Sequence, residues 1–179
     1  MPISRLLLAL GVIVLMWKLW PHPQPTADRL ANGYAIQPLE HYRNTFRILG
    51  IEHYYADKGA GISPVDFAVG MGPMTDKSVY EKVSISQGNR WYHWHVDEFP
   101  IPRRELEINS ANMHIIPATP AVADQINQIR EHQLVILEGE LVEVSGPNGF
   151  HWRSSLSRED TGDGACELMR VDSVQWLER

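Results

Sequence analysis

Trp91, Tyr92, His93, Trp94 and His95 alternate aromatic rings with imidazoles. In an extended strand, His93 and His95 project from one face with their Cα atoms about 6–7 Å apart. Two neutral imidazoles at that spacing can share a metal ion, and a zinc-like site then needs a third protein ligand and an open position for water. His114, Asp97 or Glu98 offers that third donor, and Asp160 or Asp163 a base, so the residues admit a metal-dependent hydrolase. The competing reading is an aromatic strand whose ring nitrogens are satisfied at a rim.

The run from Ser154 to Gly164 (SSLSREDTGDG) leaves a strand and becomes an acidic, glycine-rich loop. Asp160, Asp163 and backbone carbonyls are oxygen donors suited to Ca²⁺, but the ligand series and closing Glu of an EF-hand loop are missing. An Asx-type turn, with Asp side chains accepting neighbouring N–H groups, uses the same residues without a cation. No G-x-S-x-G elbow supports a serine nucleophile. Cys166 is the only cysteine, so no internal disulfide forms, and its apolar surroundings suit a small buried side chain better than a reactive thiol.

PIPRRELEINSANMHIIP, residues 100–117, is the most unusual stretch. Pro100 and Pro102 force an extended approach, Arg103 and Arg104 set two cations side by side, and Asn109, Ser110, Asn112 and His114 interrupt an apolar strand pattern. Such polar groups either lock a strand crossing through internal hydrogen bonds or face a ligand cleft.

Short period-2 apolar runs separated by turn residues predict a β-rich domain. Strands are expected at 42–54, 65–71, 79–86, 91–96, 106–116, 134–144, 150–157 and 167–176. One helix is well signalled: Thr119 caps it, Pro120 takes the first position, and Val122, Ile126 and Ile129 form one apolar stripe. Residues 134–144 carry apolar side chains in both phases around Gly139, which predicts a bent or bulged strand, and 145–149 then turn a hairpin. Helix, bent strand and hairpin together suggest the closing half of an OB-like barrel. The expected fold class is therefore mainly β with one helix: an N-terminal transmembrane helix followed by a curled antiparallel sheet or an OB-like barrel.

The transmembrane expectation rests on residues 3–20, an apolar stretch broken only by Ser4, Arg5 and Lys18 and about long enough to span a bilayer. Arg5 precedes the apolar run and no acid occurs before Asp28, so the positive-inside rule places the amino terminus in the cytoplasm. Trp17, Lys18 and Trp20 suit the far interface, and no A-x-A-like cleavage site follows; a cleaved signal peptide is the rival reading. The expected organisation is an anchor at 1–20, a Pro-rich spacer at 21–27 and one exported β-rich domain at 28–179, single-pass with the domain outside the cytoplasm. Removing Arg5 and Lys18 from the 16 basic residues leaves 14 against 22 acidic ones, a formal charge of −8 on the exported part. That sign disfavours nucleic acid and anionic lipid surfaces as partners.

PIPRRELEINSANMHIIPA followed by FHWRSSLSREDTGDGACE resembles a family of small, singly anchored envelope proteins of Gram-negative bacteria without an assigned activity. The resemblance implies an inner-membrane anchor with the C-terminal domain in the periplasm, and carries over no catalytic residue. Two functions remain as expectations. One is a membrane-anchored, non-catalytic binding or assembly module with an envelope protein partner and no required cofactor, in which Trp91, Trp94 and Trp152 leave oligosaccharide binding open. The alternative is a periplasmic hydrolase with a metal on His93, His95 and His114.

Overall fold

The structure is a computed structural model that describes residues 28–29, 33–160 and 165–178. The anchor expected at 1–20, the spacer expected at 21–27 and Asp163 of the acidic loop lie outside the described residues. No helix among the described residues is long and apolar enough to cross a membrane. The expected architecture, a transmembrane helix followed by a curled antiparallel sheet or an OB-like barrel with one helix, is corrected for the described residues: they form a closed barrel of mixed strand direction with several short helices, none long and apolar enough to span a membrane.

Closure begins with an unusually long strand, β2 (Ala35–His53), which starts seven residues before the expected 42–54. Its first two-thirds pair antiparallel with β7 (Leu134–Ser145), from Ala35 opposite Ser145 to Arg47 opposite Leu134. Its last third pairs with β3 (Val65–Gly70), so one strand serves two neighbours, bending through register shifts between Pro38 and Glu40 and between Ile48 and Gly50. β3 continues to β6 (Ser110–Pro117), β6 runs parallel to β9 (Glu167–Glu178), and β9 returns antiparallel to β7. The ring β2-β3-β6-β9-β7-β2 leaves no open edge among these five strands. Its parallel pair requires a long crossover, which α3 (Pro120–Ile126) and β7 supply. This connectivity, with a helix between the third and fourth barrel strands, is that of a five-stranded Greek-key barrel. Two short strands extend it: β1 (Asp28–Arg29) on β2, and β8 (His151–Arg153) on β7.

Period-2 alternation fills the barrel. Phe46 and Ile48, Phe67 and Val69, Met113 and Ile115, Val135 and Leu137, and Met169 and Val171 are buried in one cluster, and Val122 and Ile126 of α3 close it. Thr119 accepts from Val122 N–H at 3.2 Å as the helix cap. Gly139 sits where β7 and β9 shift register; a Cβ there would stand 1.9 Å from Arg170 O, so only glycine lets the strands approach.

Between β3 and β6 the chain inserts a cover for the barrel's outer face. It comprises a 3₁₀ turn (Gly72–Thr75), α1 (Lys77–Tyr80), the hairpin of β4 (Ser84–Gly88) and β5 (Trp91–His95), and α2 (Arg103–Ile108). Leu49, Ala68, Met74, Tyr80, Val83 and Leu106 are buried beneath it in a second core, against which Ile85, Tyr92 and Trp94 pack. Three strand expectations are corrected here and nearby. Residues 79–86 begin in a helix because Asp76 caps α1, accepting from Ser78 N–H at 2.7 Å. Residues 106–108 finish α2, whose end Asn109 secures by donating to Glu105 O at 2.8 Å. Residues 154–157 leave the ladder after β8 because Ser154 and Ser155 hydroxyls bond locally, to Ser155 O and to Ser157 O.

Candidate functional site

Pairing of β3 with β6 sets Asp66 opposite His114, Ala68 opposite Asn112 and Gly70 opposite Ser110. Because side chains alternate along a strand, Ser110, Asn112 and His114 share the outer face while Ala111, Met113 and Ile115 fill the barrel. All three polar residues are buried, and Asp66 has no exposed surface at all. A charge so placed needs partners, since burying an unpaired one costs on the order of several kcal/mol.

The partners come from the hairpin above. Its two-residue turn is Asn89-Arg90, with φ of 53° and 68°, the left-handed pair that a type I′ turn needs and that Gly usually supplies at the second place. Arg90 tolerates that conformation while its guanidinium donates to Asp66 Oδ1 at 2.8 Å and to both oxygens of Asp57, through Nε at 3.0 Å and Nη2 at 3.0 Å. The same group lies 3.7 Å over the Tyr54 ring, and Arg90 N–H donates to Tyr54 Oη at 3.0 Å. Asn112 donates to Asp66 Oδ2 at 3.1 Å and to Arg90 O at 3.2 Å, and accepts from Gln87 Nε2 at 2.8 Å. His114 Nδ1 is 2.9 Å from Asp66 Oδ2, but the approach lies off the hydrogen-bond axis and Nδ1 has no aligned partner. The contact is therefore one of charge and distance, with the imidazole resting against Trp152 at a ring separation of 4.5 Å.

Electrostatics follow from these contacts. Partial burial works to raise the Asp57 carboxyl, but the hydrogen bonds from Arg90 and Gly59 N–H outweigh it and hold Asp57 below the usual carboxylate value. Burial raises the Tyr54 phenol, opposed by the bond from Arg90. A second network lies alongside: Arg158 pairs with buried Glu167 and donates to Ser110 O at 2.7 Å, and Tyr92 Oη is 3.1 Å from Ser110 Oγ. Burial also pushes up the Tyr92 phenol, against the Ser110 bond.

Two cavities flank the hairpin and share Trp91 and Cys166. One, of about 400 Å³, reaches Tyr92, Trp94, Asn112 and Asp160; the other, of about 350 Å³, reaches Arg90, His114 and Trp152. Both sizes fall in the range of small ligand clefts. Cys166 contributes no ready nucleophile: burial, then the charge of Asp66, pushes its thiol up to about 11.

Of the residues singled out from sequence, Ser110, Asn112 and His114 share the buried outer face of β6. Asn109 caps α2 instead. Arg103 and Arg104 lie exposed on α2, paired with Glu107 and Glu159, and Arg103 sits 5.9 Å over Trp94. His93 and His95 occupy the exposed face of β5, whereas His114 lies beneath the hairpin, so the three imidazoles do not meet. Asp160 accepts from Ser155 Oγ at 2.6 Å, and Asp163 lies outside the described residues. Among the described residues no group of three or more His, Cys, Asp or Glu side chains can hold a metal ion. Sequence reasoning missed Asp66, Arg90, Asp57 and Gln87. A signal existed for two of them: Asp66 stands alone in the apolar run VDFAV, and Arg90 follows Gly88-Asn89 in a turn.

Set against family models, curated proteins and solved structures, this chain matches none of them.

Proposed function

We propose that this protein is a non-catalytic binding module of the cell envelope, taking its ligand in the cleft between the inserted hairpin and the barrel. One observation carries the reading: the two adjoining cavities meet at Trp91, which is 37% exposed, on a hairpin pinned in place by the Arg90, Asp66 and Asn112 bonds. A cleft whose walls are fixed before binding loses little freedom when it fills. The polar groups closest to it are occupied with one another: Asn112 bridges Gln87, Asp66 and Arg90, and Arg158 holds Glu167. That pattern suits recognition better than proton or acyl transfer, which needs a nucleophile with a base in reach. Placement outside the cytoplasm rests on the sequence alone, from Arg5 and the apolar residues after it, and the periplasm on the resemblance to singly anchored envelope proteins.

The test is site-directed photocrosslinking in cells. A photoreactive residue at His93, on the cleft's rim, should yield an adduct with an envelope component, and one at Glu138 on β7 should not. Equal yields from both positions, or self-adducts alone, would overturn the reading. Protease added to spheroplasts checks the location: the domain must be cut from outside.

A further inference from the structure

The outer edge of β5 is open. Gly88 and Trp91 flank the two-residue turn and form the first pair of the hairpin, followed by Gln87 with Tyr92 and Ser86 with His93. Bonded and non-bonded pairs alternate along an antiparallel ladder, so Trp91, His93 and His95 bond across to β4. Tyr92 and Trp94 therefore turn their backbone N–H and C=O groups to the opposite edge. No strand among the described residues pairs there, since β4 and β5 form a sheet of two.

The cavity of about 400 Å³ runs along this edge. Four consecutive residues, 91–94, line it. Successive side chains of a strand point to opposite faces, so a space that touches all four must follow the backbone rather than either face. Its far wall carries Glu107, Arg158 and Asp160. Arg158 is held by Glu167, and Glu107 already receives Arg103 Nε at 2.8 Å. Asp160 accepts from the Ser155 hydroxyl and has no cation partner among the described residues. Trp91 and Trp94 add aromatic faces that favour a cation, as Arg103 over Trp94 already illustrates.

We propose that an extended, basic polypeptide segment of a partner adds to β5 as a third strand, bonding to Tyr92 and Trp94 and presenting a Lys or Arg to Asp160 and the tryptophans. Unpaired edge groups in a groove select an extended backbone, because only a strand supplies donors and acceptors at the matching repeat. This deepens the binding-module reading and rests on it.

The probe is a nonapeptide of alternating Lys and Val, titrated into the full chain with amide exchange as the readout. Binding should protect the Tyr92 and Trp94 amides. N-methylation of alternate peptide residues should weaken binding about ten-fold or more in one phase and little in the other, since only one phase faces β5. Asp160→Asn should weaken it about two- to five-fold, and a Glu-Val nonapeptide should bind more weakly still. Equal loss in both methylation phases, no protection of the two amides, or equal affinity for the acidic peptide would overturn strand addition. Chito-oligosaccharide titrated in parallel separates the two readings: if it quenches Trp91 while the peptide leaves the edge unprotected, the binding module stands and strand addition falls.

Discussion

Arg90 Nη1 donates to Asp66 Oδ1 at 2.8 Å, which ties the turn of the small hairpin to a fully buried position of the barrel wall. The hairpin meets the barrel through an apolar patch, the Tyr92–Ser110 and Gln87–Asn112 bonds and this polar clasp, and the clasp is what fixes its turn.

Asp66→Ala should cost about 3–5 kcal/mol, the range for removing one partner of a buried ion pair, because Arg90 loses its innermost acceptor and Asn112 an acceptor as well. Urea unfolding checks it. A lowered midpoint with unchanged slope is expected, and a loss under about 1 kcal/mol would show that the pair is not buried as described.

Arg90→Lys keeps the charge but cannot span both oxygens of Asp57 and reach Asp66 together. A loss of about 1–3 kcal/mol is expected, the scale of one or two charged hydrogen bonds. Arg90→Gly relieves the left-handed backbone at φ 68° by about 1 kcal/mol yet strands Asp66 without its cation. Glycine should therefore be the worse replacement, and the reverse order in thermal melts would assign the residue to the turn alone.

How much of this was legible in the chain depends on what each signal requires. The barrel strands 65–71, 134–144 and 167–176 and the Thr119-Pro120 helix start are local patterns, and each has a counterpart within a few residues of its expected place. Ser110, Asn112 and His114 were readable as polar positions of one phase in an apolar strand. Their partners were not, because Asp66 and Arg90 reach them through a cross-strand register and a hairpin fold-over that no local spacing encodes. The three imidazoles of the metal expectation separate for a related reason: His93 and His95 share the exposed face of β5, whereas His114 is buried on β6. Residues 79–86 misled because Val79 and Tyr80 suit strands by type, while the deciding feature was the cap at Asp76.

Cys166 should label slowly. With its thiol raised from 9.0 to about 11, roughly one molecule in a thousand is thiolate at pH 8, against about one in ten for the unshifted thiol. A thiol reagent at pH 8 should thus react about 100-fold more slowly with the folded chain than with the urea-unfolded one. Folding raises this pKa, so the folded state holds the proton more tightly. The resulting stability, about 2–3 kcal/mol, is complete below pH 9.0 and is lost as the pH climbs to about 11. Cys166→Ser should flatten that part of the pH profile. Comparable labelling rates in the folded and unfolded chain would mean the thiol is not buried.

Gly139→Ala tests barrel closure itself. β7 must pass β9 closely enough that a methyl at 139 would lie 1.9 Å from Arg170 O and 3.0 Å from Asp172 N, both backbone atoms with no rotamer to yield. The register shift between Glu138 and Gly139 occurs at the same point, so the strands cannot separate there without opening the ladder from Glu138–Ser173 to Gly139–Val171. Overpacking of about 1–3 kcal/mol is the usual cost where side chains can move, and a backbone clash should exceed it. The expected result is a loss above about 3 kcal/mol, with amide exchange quickening along β7 and β9 before β3 and β6. Gly61→Ala is the matched control, since nothing lies within 4 Å of a Cβ there. Equal melting temperatures for the two variants would show that β7 and β9 do not close the barrel at this point.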